Sequence, residues 1–159
     1  MKTKLTRAIV ITSALFAYGP AFADAGHEHG GMKVTFGNPG TESEVTKTIN
    51  VEANDQMKFV FDRTDIKRGD VVKFVIKNTG QTRHEFSIGD APYQRAHAAM
   101  MKKMPNMVHN DPNMVTLEPG ETKMMIWKFD KPVQGKLVFA CHIPGHFEAG
   151  MKTEVVLAK

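Results

Sequence analysis

The chain has 159 residues, 42% of them hydrophobic, which suffices for one domain with a sizeable core. Its net charge is +4, but three basic residues and no acidic ones lie in the first 23 positions. The remainder therefore carries 18 Lys and Arg against 17 Asp and Glu. This near-neutral balance, together with the lack of a basic cluster interleaved with aromatic residues, gives no support to a nucleic-acid-binding function.

The first 23 residues have the composition of a secretory signal peptide. Lys2, Lys4 and Arg7 form a positively charged start, residues 8–17 are mostly apolar, and residues 21–23 form an A-x-A cleavage site. Because the apolar run is too short to cross a bilayer, we expect cleavage after residue 23 and a periplasmic protein with no membrane span. The alternative is an N-terminal anchor that is retained.

Residues 24–44 are rich in glycine, histidine and small polar residues, and this composition predicts a flexible tail. Within the tail, His27, His29 and Met32 place two imidazoles and a thioether within six residues. Such groups could hold a soft cation such as Cu(I) weakly. The alternative is a solvated tail in which the histidines are incidental.

Short stretches of alternating apolar and polar residues begin at Val45 and continue towards the end of the chain, a pattern typical of half-buried β-strands. Turn-forming residues separate these stretches, for example at 68–70 and 118–121. We expect strands at 49–53, 57–61, 72–76, 84–88, 114–117, 122–129, 136–141 and 151–157. Seven or eight such strands predict an all-β domain, a two-sheet sandwich that covers residues 45–159.

One insertion, from Asp90 to Asn113, interrupts the strand pattern. Asp90 can cap a helix whose first turn holds Pro92, and the stretch Tyr93–Met104 has a helix-forming composition. The sequence thus predicts a short helical, methionine-rich insertion on the sandwich.

His97, Met100, Met101 and Met104 are spaced as one face of this helix. Packing against the sandwich explains the spacing and is the favoured interpretation, because methionine fills core gaps readily. Seven of the 11 methionines lie between positions 100 and 125, so a surface that relays Cu(I) through thioethers is the second interpretation.

The end of the chain carries a thiol, an imidazole and a thioether at equal spacing, in Cys141, His146 and Met151. Cys141 ends a predicted strand, and Pro144-Gly145 predicts a tight loop that returns His146 towards it. Thiolate, imidazole and thioether together suit copper, and a blue-copper centre needs a second histidine. His84 is the candidate, because strand alternation turns its side chain towards the core. The alternative is an ordinary buried cysteine with an unrelated loop histidine.

The stretches Asn78–Ile88 and Cys141–Met151 resemble the ligand segments of the cupredoxin family, the small blue copper proteins. The resemblance covers about residues 45–159 and implies a Greek-key sandwich that holds one type 1 copper. It implies that Cys141 is the strong thiolate ligand and Met151 the weak axial ligand. His84 and His146 would then be the equatorial imidazole ligands.

Glu85 and His142 each directly follow a proposed ligand in the sequence. Many cupredoxins place Asn or Ser after the first histidine ligand, whereas this chain has Glu85, whose carboxylate would lower the reduction potential if it is ionised near the metal. His142 follows the cysteine, as in the similar segment of multicopper oxidases, but Ala140 stands where those enzymes have another histidine. We expect His142 to be an exposed polar residue, because strand alternation turns it away from Cys141.

The ligand set, the His/Met tail and the Met-rich insertion together resemble the copper-resistance cupredoxins of bacterial periplasms. We therefore expect a monomeric, non-enzymatic protein that binds and redox-cycles one buried copper in copper tolerance. Its partners would be the copper ion and a redox protein or copper-handling protein. The alternative function is a diffusible one-electron carrier between respiratory-chain partners, which needs only the buried site and a docking patch.

Overall fold

The computed structural model describes residues 34–133 and 135–158. The predicted signal peptide and the group of His27, His29 and Met32 lie outside the described residues. Across the described ranges, the structure has no helix that is both long and apolar enough to cross a membrane.

The described part of the chain forms two five-stranded sheets. The first sheet consists, in spatial order, of β1 (Asn38–Pro39), β8 (Thr122–Lys128), β4 (Val71–Asn78), β2 (Lys47–Asn54) and β3 (Lys58–Phe61). The second consists of β10 (Lys152–Val155), β9 (Leu137–Ala140), β5 (His84–Asp90), β7 (Met114–Leu117) and β6 (Asn110–Asp111). Neighbouring strands are antiparallel except for the parallel pair of β2 and β4. The predicted two-sheet sandwich is confirmed.

Aromatic rings fill the space between the two sheets. The ring centroid of Phe74 in β4 lies 5.7 Å from that of Phe86 in β5 and 5.4 Å from that of Phe139 in β9. All three rings are fully buried, and each contributes about 1.5–3 kcal/mol of stability. Because Phe86 stands two positions after His84 on the same strand, the alternation that builds the core also turns His84 inward.

The sandwich begins before Val45, where the strand pattern predicted its start. Phe36 is fully buried, and its ring centroid lies 5.0 Å from that of Tyr93 and 5.5 Å from that of Trp127. Strand β1 pairs with β8. Phe36 and β1, which lie within the stretch expected to form the tail, therefore pack against the domain. A two-residue strand has no periodicity from which it could be predicted.

The insertion forms one helix, α1 (Ala91–Lys103), on the outer face of the second sheet. As predicted, Asp90 caps it: the carboxylate accepts from the backbone N–H of Tyr93 at 3.0 Å, and Pro92 stands in the first turn. Nε2 of Gln94 donates to a backbone carbonyl of β9 at 2.8 Å and fastens the helix to the sheet. Every residue of β5 is buried as a result, including those that face away from the core.

Candidate metal centre

Three of the four predicted ligands meet at one end of the second sheet. Nδ1 of His84 lies 3.3 Å from Nδ1 of His146, and Sγ of Cys141 lies 3.3 Å from the same His146 atom. His84 and Cys141 are fully buried, and His146 is 8% exposed. We call this group the copper centre, because two imidazole nitrogens and a thiol sulfur are ligands that copper takes in proteins.

Each of these side chains is positioned at the end of a strand. His84 begins β5 and Cys141 directly follows β9, and these strands are antiparallel neighbours. Gly145 has a φ angle of +90°, which favours glycine, and the turn around it lets the N–H of His146 donate to the carbonyl of Ile143 at 3.0 Å. The tight loop predicted after Cys141 is therefore present, and it returns His146 to the thiol.

Met151 is fully buried and is tied to the other predicted ligands through its backbone. Its carbonyl accepts from the N–H of Cys141 at 3.1 Å, and its N–H donates to the carbonyl of His146 at 3.0 Å. The fold thus places Met151 next to both residues. That its sulfur is the axial ligand stays a prediction.

Burial controls the protonation of the copper centre. It raises the pKa of the Cys141 thiol to about 12, although the backbone N–H of Glu85, which donates to Sγ at 3.3 Å, acts in the opposite direction. A metal ion must therefore displace the thiol proton to form a thiolate bond. Burial also lowers the pKa of His84 and of His146, so both imidazoles are neutral at pH 7 and offer lone pairs.

Asp55, which the sequence did not single out, orients the first histidine. Its Oδ1 lies 3.4 Å from Nε2 of His84, and its carboxylate also accepts from the N–H of Gln81 at 2.7 Å and of Thr82 at 3.2 Å. The Gln81 hydrogen bond is the main cause of the lowered pKa of Asp55. A Cβ at Gly80 would lie 2.1 Å from Oδ1, so this close approach requires glycine. A carboxylate at Nε2 favours the tautomer that leaves Nδ1 of His84 free for a metal.

The donor atoms of the copper centre fit copper. Two imidazole nitrogens and one thiol sulfur lie within 4.8 Å of one another, and all three residues are buried. These are the ligand types that copper takes in sites with a weak axial thioether. Because Asp55 favours the proton on Nε2 of His84, the Nδ1 lone pair points into the group, where a cation would be stabilised.

A second buried group lies beside the copper centre, on the helix side of β5. Glu85 has Oε1 at 2.8 Å from Nε2 of His97 and Oε2 at 3.6 Å from Nε2 of His109. The backbone N–H of His142 donates to the same Oε1 at 3.3 Å, and Nε2 of His142 lies 2.8 Å from Oε1 of Gln94. Glu85, His97 and His109 are fully buried. We call these three residues the Glu85 cluster.

The structure corrects two expectations about this region. His142 is not exposed, because Gln94 and His97 of α1 pack against it, and burial lowers its pKa to about 4. The Glu85 side chain points towards α1 rather than towards the copper centre, since alternation places it opposite His84. Its backbone N–H, not its carboxylate, contacts the thiol.

The methionines of the insertion and of β8 divide between core and surface. Met101 is almost fully buried, which agrees with the packing interpretation of the helix, and Met125 of β8 is also buried. Met104 and Met124 are exposed. Met124 and Met125 occupy opposite faces of β8, as strand alternation requires. The exposed methionines are the ones to which the Cu(I)-relay interpretation still applies.

Curated relatives of this chain are copper proteins. The copper-resistant cuproprotein CopI of Rubrivivax gelatinosus is 39% identical over 167 residues and covers 99% of each chain. CopI of Vibrio cholerae is 43% identical over 122 residues, which are 76% of this chain and 71% of the relative.

Solved structures show the same fold. Dithionite-reduced auracyanin from Roseiflexus castenholzii has a TM-score of 0.55 at 20% identity, over 72% of this chain and 99% of that one. Auracyanin A of Chloroflexus aurantiacus, a "blue" copper protein, has a TM-score of 0.53 at 18% identity, over 70% of this chain and 98% of that one. The model of the family described as copper binding proteins, plastocyanin/azurin family, matches residues 45–158. With this match, the donor set and the fold, the chain belongs to the plastocyanin/azurin family of copper-binding proteins, the cupredoxins.

Proposed function

We propose that this protein holds one redox-active copper at His84, Cys141, His146 and Met151 and serves copper tolerance in the periplasm. The observation that carries the proposal is that Nδ1 of His146 lies 3.3 Å from both Nδ1 of His84 and Sγ of Cys141, in a buried end of the sandwich. Copper bound there supplies one-electron chemistry, because such a ligand set accommodates both Cu(I) and Cu(II).

The surrounding residues prepare the ligands for this chemistry. Asp55 holds the proton of His84 on Nε2, and the N–H of Glu85 stabilises negative charge on the sulfur of Cys141. Backbone hydrogen bonds of Met151 to Cys141 and His146 fix the ligand loop. A close-packed centre keeps its ligand positions nearly constant, which limits the reorganisation that accompanies gain or loss of an electron.

Copper tolerance is supported by the relatives and by the start of the sequence. The CopI relatives are named copper-resistant cuproproteins, and one of them covers nearly the whole chain. The signal-like first 23 residues support export. In this role the protein lowers the amount of free copper by binding it or passing it on.

A diffusible one-electron carrier is the second candidate function. His146 has a small exposed edge, and Pro144 and Gly145 beside it are exposed. A redox partner that docks there would have a short path to the centre.

Growth of a deletion strain tests the proposal. Loss of the gene should make cells sensitive to copper, and the wild-type gene should restore tolerance whereas Cys141→Ser should not. A respiratory defect at ordinary copper levels, with copper tolerance unchanged, would overturn the proposal in favour of the electron carrier.

A further inference from the structure

We propose that the Glu85 cluster is a second metal site, for a divalent cation such as Cu²⁺ or Zn²⁺. Glu85, His97 and His109 each offer one ligand atom, and these atoms lie within 4.8 Å of one another. Two imidazoles and one carboxylate are a ligand set that Zn²⁺ takes in proteins, and imidazole also suits Cu²⁺. The set contains no sulfur, so its metal preference differs from that of the copper centre.

The Glu85 carboxylate is buried and one of its oxygens lacks a partner among the described residues. A buried polar oxygen without a hydrogen bond or a metal ion to satisfy it is costly. Within the described ranges, no Lys or Arg forms an ion pair with Glu85, whose carboxylate lies beside two imidazoles and one backbone N–H. Oε2 of Glu85 is buried and has no hydrogen-bond partner among the described residues. A divalent cation at the cluster would coordinate this oxygen.

Contacts around the cluster orient the rings for metal binding. Nδ1 of His109 lies 3.1 Å from Oδ2 of Asp111, the arrangement in which a carboxylate fixes the tautomer of a metal-binding histidine. With its proton on Nδ1, His109 presents the Nε2 lone pair to Oε2 of Glu85 at 3.6 Å. At this separation the His109 nitrogen and the Glu85 oxygen can bind one cation together.

His97 supports the same conclusion. Its Nε2 lies 2.8 Å from Oε1 of Glu85, and a metal ion at the cluster would replace the proton shared there. Its Nδ1 is buried with no hydrogen-bond partner in the part of the chain that the structure describes. Nδ1 can therefore carry the ring proton when Nε2 binds a metal, without the loss of a hydrogen bond that Nδ1 makes among the described residues.

A route from solvent reaches the neighbourhood of the cluster. A cleft of about 100 Å³ opens between α1 and the loop after β9, and its lining includes Ala98, Lys102, His142 and Phe147. The ring centroid of His142 lies 5.2 Å from that of His97. The cleft thus ends at His142, whose ring packs directly against His97 of the cluster.

Two residues connect the Glu85 cluster to the copper centre. Glu85 donates its backbone N–H to the sulfur of Cys141, and its carboxylate belongs to the cluster. His142 follows Cys141 in sequence, and its N–H reaches the same carboxylate at 3.3 Å. A divalent cation bound at the cluster should therefore shift the visible band of the copper centre and raise its reduction potential.

The test uses the full mature chain with His27→Ala and His29→Ala, which removes competing imidazoles from the tail. Titrated with Cu²⁺, this protein should bind two ions per chain. Adding His97→Gln and His109→Gln to this protein should reduce the number of bound Cu²⁺ ions to one per chain. The visible band of the copper centre should remain, and its presence also shows that this variant is folded. Zn²⁺ added to protein with one copper per chain should bind and shift the band, but should do neither in the His97→Gln, His109→Gln variant.

A second arm removes the copper centre instead. Cys141→Ser with His146→Gln, in the same tail background, should keep one Cu²⁺ whose electron paramagnetic resonance spectrum shows coupling to two imidazole nitrogens. This arm does not depend on how the His97 and His109 variants fold. If the assignment of the copper centre were wrong, the result of this second arm would still stand, because the cluster does not use the thiol.

Three results would overturn the second site. The first is saturation of the tail variant at one Cu²⁺ per chain with no binding of Zn²⁺. The second is binding of two Cu²⁺ ions per chain even after the substitutions at His97 and His109. The third is a Cu²⁺ spectrum in the second arm with coupling to fewer than two imidazoles.

Discussion

Glu85 donates its backbone N–H to Sγ of Cys141 at 3.3 Å, while its carboxylate lies 2.8 Å from Nε2 of His97 on the other side of β5. Strand alternation produces this arrangement: His84 faces the copper centre, so the next side chain faces the helix. One residue, Glu85, therefore supplies both the N–H that contacts the sulfur and the carboxylate on the opposite side of the strand. Substitution of Glu85 by glutamine leaves its backbone N–H to Cys141 in place and removes the carboxylate.

Glu85→Gln should raise the reduction potential of the copper centre. It removes a buried negative charge that favours Cu(II), and it retains the backbone hydrogen bond to Cys141. Redox titration of the visible band, with one copper per chain, measures the change. Glu148→Gln is the matched control, because that carboxylate is exposed on the ligand loop. An unchanged or lower potential would mean that the imidazoles already neutralise Glu85.

Cys141→Ser should abolish the intense visible band of the Cu(II)-loaded protein. The band arises from charge transfer between the thiolate and copper, and a hydroxyl oxygen cannot replace the sulfur. Fluorescence of Trp127, the only tryptophan and a fully buried one, shows whether the variant is folded. A folded variant that keeps its colour would contradict the assignment of Cys141 as a ligand.

Asp55→Asn should weaken copper binding by about 10- to 100-fold, the usual effect of removing a partner that orients a metal ligand. The amide keeps an oxygen for the N–H of Gln81 but loses the charge that holds the proton of His84 on Nε2. Competition with a copper chelator measures the affinity. Asp65→Asn is the control, because this carboxylate pairs with Lys47 and Arg63 at the surface. Equal affinities of the two variants would rule out an orienting role for Asp55.

The copper centre could largely be predicted from the sequence, because the positions of its ligands depend on short stretches of the chain. Cys141, His146 and Met151 lie on one loop, and alternation along a single strand was enough to turn His84 inward. Ligand chemistry then selected the metal. The fold class followed from the same alternation, repeated over the strands.

The Glu85 cluster and Asp55 could not be predicted in this way. The three members of the cluster come from β5, from α1 and from the segment before β6, and they meet only because Gln94 docks the helix on the second sheet. A helical periodicity that includes His97 cannot tell which strand it will face. Asp55 stood in what looked like an ordinary turn, and its contact with His84 depends on how that turn packs against Gly80.

Stability should fall at high pH because of Tyr93. Burial raises the pKa of Tyr93 from 10.0 to about 12, so the folded state favours the neutral phenol more than the unfolded state does. The contribution of Tyr93 to the free energy of unfolding is fully present below pH 10 and is lost as the pH rises through about 12. The free energy of unfolding should fall by about 2–3 kcal/mol over this range. Urea unfolding of Cys141→Ser, with and without Tyr93→Phe, measures this difference without the thiol, whose pKa is raised into the same range. Identical pH dependence in the two proteins would refute the assignment to Tyr93.

The N-terminal group of His27, His29 and Met32 should add capacity for Cu(I). Changing all three residues to alanine should lower the number of Cu(I) ions bound per chain under reducing conditions and leave the visible band of the copper centre intact. The extra binding should be weaker than that at the copper centre, because a segment expected to be flexible must be ordered to bind. Titration with Cu(I) against a chelator of known affinity measures both the number and the strength of the sites.

A matched variant on α1 separates the tail from the insertion. Met100→Leu with Met104→Leu removes two thioethers from the accessible part of the helix and leaves the buried Met101 in place. Leucine preserves most of the packing. If this variant binds fewer Cu(I) ions per chain, the cause is therefore the missing sulfur atoms and not a change in folding. If the tail alone stores Cu(I), this variant should bind as many ions as the wild type. Saturation of the wild-type chain at one Cu(I) would exclude both extra sites, and the electron carrier would then be the better account of the copper centre.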